Sequence, residues 1–213
     1  MSQESTVVDL EAHRKALIPT GKDALLAYWN EIGGALDVPG RDAIDPARIS
    51  GLLGEIVLIE RIAPRQAKIR LAGQAIGNAV GIEPRGMPMT SLISTASRGA
   101  LEDAMEALFD RPSMVELELA GPKTPFRRRM HGELLLLPLR DREDQITRAI
   151  CYASLPERRT KAPLRFDIMD TRLRRLKARV AAPVQTNTPI FEDAERARDV
   201  LRRRQSFRIV DPV

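Results

Sequence analysis

The sequence predicts an α+β fold, in which a five-stranded antiparallel sheet has helices inserted on one of its faces. Two short apolar runs, Ile56–Ile62 and Ala67–Leu71, flank a proline-containing turn, and this pattern is typical of two paired strands. After a stretch with helical spacing come three more strand-like runs, at Met114–Leu119, Arg127–Leu139 and Ile146–Leu155. A pair and then a triple of strands, separated by helices, indicates one sheet that encloses a hollow against the inserted helices.

The second strand of the pair indicates which side of the sheet faces inward. Its residues alternate in polarity from Lys68 to Leu71, so Ile69 and Leu71 are predicted to share one inward face. The strand stops at Gly73, whose spacing of four from the next two glycines does not match a phosphate-binding loop. These glycines are therefore expected to serve turns and close packing.

Two amphipathic helices are predicted outside the strands. The first covers residues 22–36 and places Leu25, Trp29 and Ile32 on one apolar stripe. This stripe either packs on the outer face of the sheet or pairs with the same helix of a second copy, so a homodimer is expected. The second helix, Ser97–Asp110, separates the two groups of strands.

Apolar side chains of the inserted segment and of the neighbouring strands converge on the predicted hollow. They either line a pocket for a small molecule or fill the space as ordinary core, and methionine suits both roles because it adapts to irregular shapes. The pocket candidates are Ile69, Leu71, Ile76, Met89, Leu92, Met105 and Leu134.

Charge is unevenly distributed along the 213 residues, whose net charge is +5. Residues 156–213 carry 15 Lys and Arg against 8 Asp and Glu, whereas the preceding part is close to neutral. We expect a basic helical extension there, with one helix at Arg165–Val180 and another that starts at Thr188-Pro189. A solvated arginine-rich face is the simpler interpretation, and the alternative is a nucleic-acid-binding regulator that uses these helices.

The predicted organisation is a flexible N-terminus over residues 1–20, one domain over residues 21–155 and the basic extension over residues 156–213. No apolar run approaches the ~20 residues that a membrane span requires, and the N-terminus lacks an apolar signal segment. A single cysteine excludes a disulfide framework. These features predict a cytoplasmic protein.

Few residues suggest chemistry. His13 and His131 are the only histidines, and neither has a second ligand at metal-binding spacing, so no metal site is predicted. Cys151 lies within a predicted strand and is expected to be a buried thiol. Since no acid–base or nucleophile arrangement is visible, we predict no catalytic residue, no enzymatic activity and no cofactor.

Arg127 and Arg129 are the most distinctive polar pair in the chain. Two residues apart in a strand, they share one face, and in one interpretation they clamp an anion. In the other interpretation their charges protect an exposed edge of the sheet.

The leading helix, the strand pair and the inserted segment contain sequence motifs that are similar to those of a known family. The matching pieces are Trp29, RDAIDPARISGLLGEIVLIE, IRLAGQAIGNAVGIEPRGMPMTSL and ELLLLPL, and the most specific parts are Asp45-Pro46, the strand exit Arg70–Gly73 and the turn Gly81–Gly86. Over roughly residues 21–155 the chain resembles small single-domain bacterial PAS proteins. The resemblance implies a PAS fold and a sensory or regulatory role, exerted through a small ligand or a signalling protein partner. Some of these relatives act in motility and cell-cycle signalling.

Overall fold

The computed structural model describes residues 21–33, 37–123, 128–156 and 163–176. The helices are α1 (Gly21–Gly33), α2 (Gln74–Val80) and α3 (Arg98–Phe109), and short 3-10 turns occupy residues 41–43, 50–52, 89–92 and 95–97. The strands are β1 (Ile56–Ala63), β2 (Gln66–Ala72), β3 (Ser113–Ala120), β4 (His131–Arg140), β5 (Ile146–Ser154) and β6 (Asp167–Arg175).

All six strands form one antiparallel sheet in the order β2-β1-β5-β4-β3-β6. The pairing of β1 with β5 joins the predicted strand pair to the predicted triple, with Ile56 opposite Tyr152 and Glu60 opposite Arg148. The α+β class and the single sheet are therefore confirmed. The sheet has six strands instead of the predicted five, because β6 adds to the free side of β3.

The predicted helix Arg165–Val180 is wrong for residues 167–175, which form strand β6 and pair with β3. Most of this strand is exposed on both faces. An edge strand that buries neither face has no need for alternating apolar residues, so its sequence lacks the period-two signal of a strand. Residues 1–20, the end of the first predicted helix and the second C-terminal helix lie outside the described residues.

The segment that leads into β6 ties it to the helical side of the domain. Phe166 is completely buried, its N–H donates to the Leu92 carbonyl at 2.9 Å, and its carbonyl accepts from the Ser94 N–H at 2.8 Å. The Leu164 N–H donates to the Val80 carbonyl at 3.0 Å, at the end of α2. The sheet and its core thus continue beyond the predicted domain boundary at residue 155.

Both faces of the sheet are covered at its centre. Helix α1 packs on β4 and β5. On the opposite face, the Arg61 guanidinium binds the carboxylate of Asp110, directly after α3, at 2.7 Å. Residues 134–140 of β4 are consequently all buried, which explains why this strand reads as a continuous apolar run. Among the described helices, none combines the length and the apolarity needed to cross a lipid bilayer.

Candidate functional site

Helix α1 is locked onto the sheet by its aromatic side chains. Leu25 and Trp29 are 0% and 1% exposed, and the Trp29 indole Nε1–H donates to the Pro138 carbonyl at 3.0 Å. Ile32 is partly buried against the same core. For these three residues the structure shows packing on the chain's own sheet, so they offer little surface to a second copy.

The start of α1 is held by charge and by close approach. The Lys22 ammonium lies 3.0 Å from Glu133 and 3.5 Å from Glu116, and the hydrogen bond to Glu133 raises the pKa of Lys22. A Cβ built at Gly21 would lie 2.6 Å from Tyr152 Oη, so the helix begins directly against this tyrosine. A larger residue there would have to push the helix off the sheet or displace the tyrosine ring.

Tyr28 connects α1 to the segment before β1. Its hydroxyl donates to the Ala43 carbonyl at 3.3 Å and accepts from the Asp45 N–H at 2.6 Å. The Asp45 carboxylate in turn accepts from the Ala47 N–H at 2.9 Å, as an aspartate at the start of a turn does. The Asp45-Pro46 segment is therefore structural.

The predicted pocket residues, with one exception, lie together in the interior. Ile69 and Ile76 are completely buried, and the other five members of this set range from buried to half-exposed. All of them except Leu71 belong to one hydrophobic core cluster, shared with the buried faces of α3 and β3. This arrangement favours the core interpretation, because each side chain packs against other side chains of the chain itself.

Leu71 departs from the prediction because of a β-bulge. In the β1–β2 ladder Ile69 lies opposite Ile59, whereas Leu71 lies opposite Leu58, so Arg70 is an extra residue. Since neighbouring residues of a strand point to opposite faces, the bulge places Leu71 on the face opposite Ile69. Leu71 is 45% exposed and does not reach the interior.

The bulge creates an apolar surface on the outer side of the sheet, which we call the β1–β2 outer patch and define as Leu58, Ile62 and Leu71. Ile62 is 52% exposed, and Leu58 is partly buried. An ion-pair network borders the patch and separates Leu58 from Ile62, because Glu60 lies between them on the same face of β1. Its carboxylate contacts the Arg70 guanidinium and, at 2.9 Å, that of Arg148. The sequence did not predict this patch, although Ile62 lies just before the turn at Ala63-Pro64.

An open groove of about 620 Å³ lies at the exit of β2, alongside α2. The amides of Gln74 and Asn78 and the carboxylate of Glu83 are its polar side chains. Glu83 also accepts a hydrogen bond from the Arg85 N–H at 3.1 Å. The groove is more polar than the interior, and sequence reasoning did not identify it.

The glycines beside this groove have the structural roles that their spacing predicts. Gly81 ends α2 in the left-handed conformation at φ 79°, and its N–H donates to the Gly77 carbonyl at 2.8 Å. Gly73 has an ordinary φ of −67°, but a Cβ there would lie 2.1 Å from the Leu53 carbonyl oxygen. Only glycine lets the backbone of the strand exit approach the preceding loop this closely.

Comparison with protein families gives one clear result. The family model for the PAS domain matches residues 19–154, which include α1 to α3 and strands β1 to β5. This chain belongs to the PAS domain family. PAS domains are sensory and signalling modules, so the chain has a role of that general class. No curated protein matches the chain.

The match to the PAS domain ends before β6, so this strand is an addition to the matched region. Arg129 connects the two: its Nε–H donates to the Gly121 carbonyl at 2.7 Å, and its guanidinium forms an ion pair with Asp167 at the start of β6. Asp167 also accepts a hydrogen bond from the Ser94 hydroxyl. The Arg129 guanidinium is thus engaged in holding β6, and Arg127, the other predicted anion-binding residue, lies outside the described residues.

The remaining candidates for chemistry in the PAS domain occupy separate places. Cys151 is completely buried in β5, and burial raises the pKa of its thiol, which keeps it protonated. His131 is exposed at the start of β4. In the part of the chain that the structure describes, no group of three potential metal ligands comes together.

Proposed function

We propose that this PAS domain is a non-enzymatic regulatory module that recognises a signalling protein through the β1–β2 outer patch. The observation that carries the proposal is the exposure of Ile62 and Leu71 on the outer side of a sheet whose inner side is filled with core side chains. Ile62 lies next to the β1–β2 turn and Leu71, opposite Leu58, lies near the other end of the ladder, so the apolar side chains extend along the outer face of the strand pair. Apolar side chains grouped on one exposed face mark a surface that another molecule can cover.

The chemistry of the border indicates what kind of partner fits. Two guanidinium groups, those of Arg70 and Arg148, surround the patch with a single carboxylate, that of Glu60. The border is therefore net positive. A partner segment with apolar side chains flanked by aspartate or glutamate would bury the leucines and complete the ion pairs.

A small ligand is the second candidate, and the groove of about 620 Å³ beside α2 supports it. The amides of Gln74 and Asn78 each provide donor and acceptor atoms, which suits a polar molecule. We rank it second because the groove is open and lacks the apolar lining that most small-molecule sites have.

Site-specific photo-crosslinking in the cells that naturally contain the protein tests the first candidate. A photoreactive amino acid is placed at position 71, and the matched control carries it at position 53, because Leu71 and Leu53 have similar exposed fractions of 45% and 42%. We expect one protein adduct from position 71 and none of that mass from position 53.

Reversal of the border charge provides the second control. Adding Arg70→Glu to the position-71 probe should reduce the yield of the adduct several-fold, because the substitution turns the positive border negative. Identical adducts from positions 71 and 53, or an adduct insensitive to Arg70→Glu, would contradict recognition through this patch.

A further inference from the structure

Strand β6 is an edge of the sheet, and no strand among the described residues pairs with its outer side. It is the last strand in the order β2-β1-β5-β4-β3-β6, and its residues 169–175 are all exposed. The opposite edge is covered, since the Ile69 N–H donates to the Met87 carbonyl at 2.9 Å and the Gly86 N–H to the Ile69 carbonyl at 2.8 Å. Natural sheets protect or pair such edges, because an unpaired strand edge is a template for another strand.

Part of the β6 edge is already occupied within the chain. The Ile168 N–H donates to the Ser97 hydroxyl at 3.0 Å, just after the contact of Phe166 with Ser94. Among the described residues, none makes a backbone hydrogen bond to the outer side of the stretch that runs from Met169 to Leu173. Both of these end residues are 55% exposed, although a lone edge strand gains nothing from large apolar side chains in water.

The sequence of this open edge is complementary to itself. When β6 is paired antiparallel with a second β6 about Thr171, Asp170 lies opposite Arg172. Met169, which is the extra residue of a bulge in the β3–β6 ladder, then lies beside Leu173 of the second copy. Both apolar side chains then gain apolar partners, and both charges gain opposite charges. Cross-strand pairs of these kinds stabilise antiparallel sheets.

The neighbouring registers are less complementary. A two-fold axis normal to the sheet places the same face of both copies on the same side of the joined sheet. The two residues of a pair must then point to the same face, so only registers that preserve this match are allowed. The next register in one direction places Asp170 opposite Asp170 of the second copy, and the next in the other direction places Arg172 opposite Arg172. Like charges directly opposite one another are destabilising, so the register about Thr171 is preferred.

We propose that two copies of this chain associate through their β6 edges, in antiparallel register about Thr171, to form one continuous twelve-stranded sheet. Within a single chain Arg172 lies 3.2 Å from Asp170 and 2.7 Å from Glu118. In the dimer, Asp170, Glu118 and Arg172 of one copy lie beside the same three residues of the other copy, which brings four carboxylates and two guanidinium groups to the axis. Each Asp170 is then next to the Arg172 of the other copy. The proposal is independent of the β1–β2 outer patch, which lies at the other end of the sheet.

Charge reversal with mixing tests the proposed register on the full chain. Sedimentation or native mass spectrometry should find the wild type as a dimer at micromolar concentration. Asp170→Arg places two arginines opposite each other and Arg172→Asp places two aspartates opposite each other, so each variant alone should show a dissociation constant raised on the order of tenfold or more. An equimolar mixture of the two variants restores both opposite pairs and should recover the dimer as a 1:1 heterodimer.

A second variant keeps the proposal testable if either reversal prevents folding, which thermal unfolding would reveal. Thr171→Cys places the two new thiols directly opposite each other, at a Cα separation compatible with a disulfide. Because Cys151 is completely buried, oxidation should join the variant to itself through position 171. The same substitution at Arg174, away from the axis, should crosslink several-fold less. A monomeric wild type, reversal variants that dimerise like the wild type, or equal crosslinking at positions 171 and 174 would overturn the proposal.

Discussion

Replacing Gly73 with alanine is expected to destabilise the domain by about 3 kcal/mol or more, which is a large part of the stability of a typical domain. The added Cβ would lie 2.1 Å from the Leu53 carbonyl oxygen and 2.2 Å from that of Gly54. Both atoms belong to the backbone, so no side-chain rotation relieves the clash. The strand exit would have to move, and the Gly73 N–H would lose its bond of 2.8 Å to the Ile56 carbonyl.

Urea unfolding of the two variants Gly73→Ala and Gly51→Ala measures this effect. Gly51 lies in the segment before β1 that also contains Leu53 and Gly54, and a Cβ at Gly51 would meet no atom within 4 Å. The Gly51 variant should therefore unfold close to the wild-type midpoint, while the Gly73 variant unfolds at much lower urea or fails to fold. Equal midpoints would mean that the close approach at Gly73 is absent.

Removal of β6 is expected to have the second large effect. A chain that ends at residue 156 loses the strand, the buried side chains of Leu164 and Phe166, and the contact between Arg129 and Asp167. Burial of a phenylalanine alone accounts for about 3–5 kcal/mol in large-to-small substitutions. A chain that ends at residue 176 keeps all of these and should retain the wild-type cooperative thermal transition.

Thermal unfolding of the two shortened chains tests whether the domain ends at residue 155, as the sequence predicts, or includes β6, as in the structure. The full-length variant Phe166→Ala serves as the matched control, since it removes only the buried ring. We expect it to fall between the chain ending at 176 and the chain ending at 156. If the chain ending at 156 melted like the longer one, β6 would not belong to the cooperative unit.

The strands of the PAS domain could be predicted wherever burial imposes a pattern. Residues 134–140 of β4 are buried on both faces, β1 begins with a buried apolar run, and β3 alternates buried apolar residues with glutamates, so all three sequences carry strong strand signals. Strand β6 buries little of itself and pairs through its backbone, which leaves almost no trace in its side chains. Its apolar residues fall at helical spacing, and its sequence therefore predicts a helix.

The interior and the β1–β2 outer patch show a second limit of prediction from the sequence. The burial of Ile69, Met89 and Met105 follows from ordinary patterning and could be predicted, but whether such residues fill or line a hollow depends on packing that the sequence does not express. The exposure of Leu71 depends on one extra residue in the β1–β2 ladder. A single bulge exchanges the two faces of a strand, and alternation alone cannot reveal it.

We infer that the interior of this PAS domain is closed by its own side chains and that its signalling contacts are made at its surface. Native mass spectrometry of the gently purified full chain tests this most directly. Each copy should have the 23.8 kDa mass of the polypeptide alone, with the same mass per copy after denaturation. A stoichiometric small molecule that is present in the native spectrum and lost on denaturation would contradict the account, and would assign the domain to ligand sensing instead.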